Sequence, residues 1–268
     1  MSVLQVLVAT MHQSDLSLVE KMNIRCDTVI ANQTDGTSFL RIENPYGTVK
    51  MISTHTRGVG LNRNIALLAS DAEFVLFSDD DMYYNDDMPQ AVAAAFRNNP
   101  QADVLVFGVD MSRDGQIYER RRLTNRRLRV WNAMRFGTYR IAARRSALVQ
   151  HNITFNQNFG GGCPFSSGED SLFLKACFDC GLKVYGCEYV LGICAKDSSS
   201  WFTGYHEKYF YDKGVLMRYL FPRIPRLMAI YFAVRFKHAT EMSAMQRVRW
   251  MLKGVNNSKA FRPYRNDL

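Results

Sequence analysis

Hydrophobic positions along this chain come in short runs that end in polar residues, and the runs alternate with stretches of helical spacing. Val3–Ala9 is mainly apolar and closes on Thr10-Met11-His12-Gln13. Thr28–Ala31 closes on Asn32-Gln33-Thr34-Asp35-Gly36, and Val49–Ile52 forms a third run. The sharpest case is Glu73 to Met82, where Phe74-Val75-Leu76-Phe77 passes through Ser78 into three consecutive carboxylates, Asp79, Asp80 and Asp81. Short apolar runs bounded by turn-forming residues predict buried strands. Val104–Val109 and Lys183–Cys187 read the same way, as does Trp131–Ile141 with Gly137-Thr138 inside it. Between them, helical spacing predicts helices over Leu16–Met22, from Asn62 onward, over Pro89–Arg97 and over Ser171–Cys180. In the helix after Asn62, the residues Ile65, Leu68 and Ala69 are expected on the buried face; in the one after Ser171, Leu172, Phe173 and Ala176. Strands alternating with helices predict an α/β fold, a mostly parallel sheet flanked by helices.

In such a sheet the strand ends share one edge, and that edge is where ligands bind. Three adjacent aspartates repel one another, so burying them requires a cation or hydrogen-bond donors. A hard divalent ion carrying phosphates meets that need; a solvated acidic turn is the alternative. The Thr, Asn, Gln and Asp residues at the other strand ends either converge on the same ligand or serve as ordinary turn formers. In Arg57-Gly58-Val59-Gly60-Leu61-Asn62-Arg63-Asn64 the glycines supply a turn and Asn62 is placed to cap the helix. Arg63 in the first turn opposes the helix dipole, which directs it either to an anionic ligand or to solvent. Glu169 and Asp170 open a helix after the glycine stretch Gly160–Gly162. The dipole favours acids there, so they either cap the helix or do chemistry from it. Six arginines between Glu119 and Arg129 form a solvated loop or a phosphate or acceptor contact.

Length and composition narrow the class. With 268 residues and 47% hydrophobic content, the chain can bury a full core. Its net charge of +9 is uneven: residues 218–268 hold eleven Lys and Arg against two Asp and Glu, leaving residues 1–217 neutral. That segment carries Ile224, Leu227, Met228 and Tyr231, then Met242, Met245, Val248 and Leu252, at helical spacing among basic residues. Such helices pack one face on the body or rest on an anionic membrane surface. The longest apolar stretch, Leu227–Val234, is too short to span a bilayer. With no leader-like start, the expectation is a cytoplasmic protein able to sit peripherally on the inner face of the membrane. Cys177 and Cys180, with Cys163, Cys187 and Cys194 nearby, read as buried free thiols, with a zinc site as the competing reading.

In order, the strand ending at Thr10, the Asn32-Gln33 strand end, Gly58-Val59-Gly60-Leu61-Asn62-Arg63-Asn64, Ser78-Asp79-Asp80-Asp81 and Gly168-Glu169-Asp170 resemble glycosyltransferase family 2 enzymes. The Thr10–Gln13 segment and Ser199-Ser200-Trp201-Phe202 are similar, more closely, to the branch found in bacterial capsule and surface-polysaccharide clusters. The resemblance covers roughly residues 2–215. It implies the GT-A fold, a Rossmann-like catalytic domain over 1–217 with a basic helical extension over 218–268, and inverting transfer from a sugar nucleotide, UDP-linked by default. It implies Asp170 as catalytic base, with Glu169 and Trp201 on the acceptor side. Thr10, Asn32 and Asp35 would line the base and ribose pocket, Arg63 would meet the diphosphate or the base, and Asp79 and Asp80 would hold the donor. Mn²⁺ or Mg²⁺ would sit on Asp79 and Asp81, with Asp197, His206 or neither as a further ligand; the acceptor would be a glycan or a lipid-linked one. Two other classes are weighed against it. A sugar-phosphate nucleotidyltransferase needs a glycine-rich loop with lysine after the first strand, where this chain has Thr10-Met11-His12-Gln13. A basic lipid- or nucleic-acid-binding module would not need acids at two element ends, and nucleic acid is not expected as a partner.

Overall fold

The computed structural model describes residues 2–195, 204–236, 238 and 240–258. The first half runs β1 (Leu4–Met11), α1 (Leu18–Lys21), β2 (Asp27–Gln33), β3 (Ser38–Asn44), β4 (Gly47–Thr54), α2 (Val59–Leu68), β5 (Phe74–Asp79), β6 (Met82–Tyr84) and α3 (Met88–Asn98). The second runs β7 (Val104–Arg113), β8 (Gln116–Arg121), α4 (Val130–Ala133), a 3-10 turn (Thr138–Arg140), β9 (Ile141–Arg144) and α5 (Arg145–Gln150). It continues with α6 (Glu169–Asp179), β10 (Val184–Ala195), α7 (Glu207–Leu220), α8 (Pro225–Arg235) and α9 (Ala244–Asn257).

The strands form one sheet in the order β3-β4-β2-β1-β5-β9-β7-β10-β6, with β8 paired to β7. Its β4-β2-β1-β5 block is parallel. Side chains alternate across β1, so Leu4, Val6 and Val8 pack with α1 and α3 on one face. Leu7 packs with α2, α5 and α6 on the other. Because both faces are covered, the central strands are mostly apolar rather than alternating with polar residues, buried Gln5 and Thr28 being the exceptions before the polar strand ends. Ala9 pairs with Asp79 and Thr10 with Asn32, which brings the polar ends of β1, β2 and β5 to one edge. Antiparallel neighbours extend the sheet: β3 on β4, β9 between β5 and β7, and β6 on β10.

Two expectations need correction. Trp131–Ile141 is not a strand. The Met134 amide donates to the Val130 carbonyl to close the helical turn of α4, and the chain stays irregular or 3-10 until Ile141. Gly137 sits where a side chain would strike the Tyr139 ring. Pairing begins only at Ile141-Ala142-Ala143, where small buried residues fit between β5 and β7. The buried face of α2 also differs, because the helix begins at Val59 after Gly58 and Asn62 lies inside it. The buried residues are Gly60, Asn62, Arg63, Asn64, Ala66 and Leu67; Ile65 and Ala69 are partly buried against the core as expected, while Leu68 is exposed. The side turned inward is polar because it faces the sheet edge as well as the core.

The C-terminal helices build a third apolar cluster around Phe210, Leu216, Ala229, Met251 and Val255. α7 crosses α9 through glycine: a Cβ on Gly214 would overlap the Met251 carbonyl, and one on Gly254 the Tyr211 carbonyl. Residue 217 lies inside α7, so this helix continues from the body into the extension. Among the described residues no helix is long and apolar enough to cross a membrane. All six cysteines are free thiols, and Cys177 and Cys180 sit at the end of α6.

Candidate functional site

The carboxyl ends of β1 and β5 and the first turns of α2 and α6 surround a cavity of about 640 Å³. Its shape starts from three consecutive residues of α2. The Asn62 amide donates to the Thr10 and Ala31 carbonyls at 3.1 and 2.8 Å, fixing the helix to the ends of β1 and β2. Asn64 does the same on the far side, donating to the Phe155 carbonyl at 2.9 Å and accepting from the Phe155 amide at 2.7 Å. A Cβ on Gly60 would overlap the Asn156 carbonyl, so this helix approaches the 155–156 backbone as closely as glycine permits. The Val59 amide then donates to the Gly161 carbonyl at 2.9 Å. The glycine loop and the start of α6 that follows it are thereby held beside the start of α2.

Between the two asparagines, Arg63 is only 4% exposed and points into the cavity wall. Its Nη2 donates to Asp79 Oδ1 at 2.7 Å, and its Nη1 to Glu169 Oε1 at 3.1 Å and Asp170 Oδ1 at 3.4 Å. Burial alone would favour a neutral guanidine; Asp79, Asp170 and Glu169 outweigh it and hold the cation well above its ordinary range. The arginine is thus a bridge between the aspartate strand end and the acidic helix start, Asp79 and Glu169 lying 90 residues apart in sequence.

Asp170 stands in the first turn of α6, behind Gly168, whose φ of 124° suits glycine. Burial, then the neighbouring Glu169 carboxylate, push its carboxyl up to about 7, against the opposing pull of Arg63 and Thr138. The Thr138 hydroxyl donates to Asp170 Oδ1. Lys213, from α7, also lines the cavity; burial lowers its pKa, with Glu169, Asp170 and Asp212 pulling the other way. On the opposite wall the Thr10 hydroxyl donates to Asp80 Oδ2 at 2.5 Å, and Asp81 completes the acidic edge.

The structure therefore brings together Thr10, Arg63, Asp79, Asp80, Asp81, Glu169 and Asp170. Asn32 is fully buried outside the cavity wall. Its side chain accepts from the Gln13 amide at 3.0 Å and donates to the Gln13 carbonyl at 2.8 Å and to Ser53 Oγ at 3.0 Å, organising the strand ends from behind. Asp35 lies outside the wall as well, paired with Arg57 at the surface. His206 is exposed at the N-cap of α7 and is not part of the wall. Asp197 and Trp201 lie outside the described residues. Gln33, one of the strand-end polar residues, does reach the cavity wall, while sequence reasoning passed over Thr138 and Lys213, which stand beside Asp170 and in the wall. A lysine beside Gly214, on a helix whose neighbours Phe210, Val215 and Leu216 are apolar, was the available signal for a buried cation.

Among the described residues no three His, Cys, Asp or Glu side chains converge to enclose a metal ion. Carboxylates from Asp79 and Asp81 on one wall are nevertheless the hard oxygen donors that a divalent ion takes when phosphate and water complete its shell. The donor chemistry fits a shared ion and not a protein-only cage.

An α/β sheet with acids and a buried arginine at the carboxyl edge of its central strands has its polar cluster where open sheets of this kind bind ligands. In fold the chain is similar to S. aureus TarS. TarS 1–349 in complex with UDP-GlcNAc aligns with a TM-score of 0.58 at 16% identity, covering 97% of this chain and 73% of that one. TarS 1–349 in complex with UDP gives a TM-score of 0.55 at 17% identity, over 97% and 72% of the two chains. No curated protein matches the chain. The glycosyl transferase family 2 profile matches residues 21–163, more than half of the sequence, and the chain belongs to that family. The match takes in Arg63, Asp79–Asp81 and Thr138, and ends before Glu169 and Asp170.

Proposed function

We propose that this glycosyltransferase inverts configuration at the sugar it moves from a UDP-linked donor to a hydroxyl of a glycan or lipid-linked acceptor in surface-polysaccharide synthesis. The observation that carries the reading is the Arg63 bridge, which sets a carboxylate of near-neutral pKa, Asp170, across one cavity from Asp79. The UDP-GlcNAc and UDP complexes of the TarS fold neighbours support uridine as the donor nucleoside.

In this reading Asp170 is the general base. A base whose pKa lies near the working pH combines a populated carboxylate with useful proton affinity. It takes the acceptor hydroxyl proton as the oxygen bonds to the anomeric carbon, and the bond to the diphosphate oxygen breaks on the opposite side. Thr138 orients the carboxylate through its hydrogen bond. Glu169 keeps the Asp170 pKa up and faces the acceptor side. Thr10 positions Asp80, which with Asp79 contacts the donor. Arg63 holds the two acidic groups in register and adds positive potential beneath the diphosphate. Asp79 and Asp81 would hold Mn²⁺ or Mg²⁺, which when bound supplies charge neutralisation for the departing diphosphate. Asn32 and Asp35 act on the base pocket only through the strand-end loops, Trp201 is assigned to the acceptor side, and His206, which is not in the cavity wall, is not retained as a metal ligand.

The functional division we propose is a catalytic body over 1–217 and a basic extension over 218–268 that meets the acceptor's membrane, which would place the protein on the inner face of the cell membrane. A thermal-shift panel of nucleotides and sugar nucleotides, with and without Mn²⁺, tests the donor reading. A ligand that binds only the folded chain raises its melting temperature. UDP and a UDP-sugar should do so with metal present; stabilisation by CTP or UTP alone would move the chain toward nucleotidyl transfer.

A further inference from the structure

The two C-terminal helices turn opposite kinds of face to solvent. α9 buries Met251, Gly254 and Val255 and exposes Arg249 and Lys253, as an amphipathic helix in water does. α8 does the reverse. It buries Ala229 and Ala233 completely, with Met228 and Phe232 partly buried beside them, while Leu227, Ile230, Tyr231 and Val234 are 39–62% exposed. Those four positions are spaced i, i+3, i+4 and i+7, so they form one continuous stripe along the outer side of the helix. Ile224, just before the helix, extends it and is also exposed. In water, burying alanine and exposing leucine, isoleucine and valine discards the larger transfer free energy. An ordered apolar stripe of this kind marks a surface built to be covered.

What covers it is indicated by charge. Arg223 and Arg226 stand at one end of the stripe and Arg235 at the other, all exposed. They belong to a 51-residue segment, 218–268, with eleven basic and two acidic residues. A two-fold contact between copies would set these like charges against each other, whereas an anionic surface complements them. At eleven residues, α8 is about 16 Å long, enough to lie along a bilayer surface and too short to cross it. Tyr231 sits within the stripe, the residue type favoured where apolar and wet regions meet.

We infer that the outer face of α8 is a membrane-docking surface that lies flat in the headgroup region of an anionic bilayer. Leu227, Ile230, Tyr231 and Val234 enter the acyl boundary, and Arg223, Arg226 and Arg235 meet lipid phosphates. This gives the proposed membrane contact of the extension a specific face and orientation. The test reads vesicle binding without sugar nucleotide, so its failure leaves the transferase reading intact.

The experiment is co-sedimentation of the full chain with phosphatidylcholine vesicles, with and without phosphatidylglycerol. Binding is expected on the anionic vesicles and should weaken as salt is raised. The combined Leu227→Ser, Tyr231→Ser and Val234→Ser variant should lose at least about tenfold in binding. Because those residues are exposed, its melting temperature and its stabilisation by UDP should stay unchanged. A second variant, Arg223→Gln with Arg226→Gln and Arg235→Gln, should show the same loss on anionic vesicles and leave the apolar stripe in place. Wild-type-like sedimentation of the serine variant would overturn the inference. So would absence of wild-type binding to phosphatidylglycerol vesicles, or a solution dimer that the serine substitutions dissolve.

Discussion

Arg63 commits both terminal nitrogens to the protein's own carboxylates, and that choice decides how the site responds to mutation and to pH. Removing it leaves Asp79, Glu169 and Asp170 without the guanidinium that lies between them. Arg63→Ala should therefore destabilise the fold by about 3–5 kcal/mol, the usual penalty for breaking a buried ion pair from one side. Chemical denaturation should show a smaller loss at pH 5 than at pH 8, because protonation relieves the repulsion. Asp170 gives a second prediction. Its folded carboxyl is raised to about 7 from an ordinary 3.8, so between those values the folded state holds a proton that the unfolded state has released. Its contribution to stability is accordingly complete below about 4 and is lost as pH rises to about 7, and Asp170→Asn should flatten that part of the melting-temperature profile. Activity runs the other way: kcat/KM should climb with pH through about 7 as the base deprotonates, and Asp170→Asn should lower it by about 10²–10⁴-fold. The sequence showed that Arg63 opposes its own helix dipole, which left an anionic ligand or solvent as its destination. It could not show that the partners are Asp79, Glu169 and Asp170, because that contact depends on how α2 and α6 meet in space.

At the scale of elements, close glycine contacts set where the helices lie. α7 delivers Lys213 to the cavity, and its neighbour Gly214 rests against the α9 backbone at Met251. Gly214→Ala must push the two helices apart, at a cost of about 1–3 kcal/mol for an overpacked contact. The expected result is a lower melting temperature together with altered UDP binding, because Lys213, which lines the cavity, moves with the helix. A change in stability alone would detach α7 from the site. The buried parallel strands were legible because an apolar run between helical segments has few other interpretations, and Phe74–Asp81 is the clearest of them. Thr138 was hidden by a misread element: Trp131–Ile141 is apolar enough for a strand, but the chain turns there to bring Thr138 against Asp170. The exposed edge strand β3 left no period-two signal, since it is solvated on both faces.

For the molecule as a whole, the charge division at residue 218 was visible in the sequence, but the packing that joins its two sides was not. α7 spans that position and shares an apolar cluster with α8 and α9. Deleting residues 218–268 should consequently shorten α7, uncover Phe210, Val215 and Leu216, and lower the melting temperature while raising dye binding to exposed apolar surface. A truncated chain that melts like the full one would show that the body needs no support from the extension. The same cluster ties the proposed membrane face to the catalytic cavity, since α8 and α9 pack on the helix that carries Lys213.

Calorimetric titration of UDP into the full chain with Mn²⁺, repeated on Asp81→Asn and Asp170→Asn, tests the central claim most directly. The account predicts binding that requires the metal, is lost in Asp81→Asn and is retained in Asp170→Asn, whose carboxylate serves the acceptor side. Failure of UDP to bind the wild-type chain, or equal binding without metal and in Asp81→Asn, would contradict it.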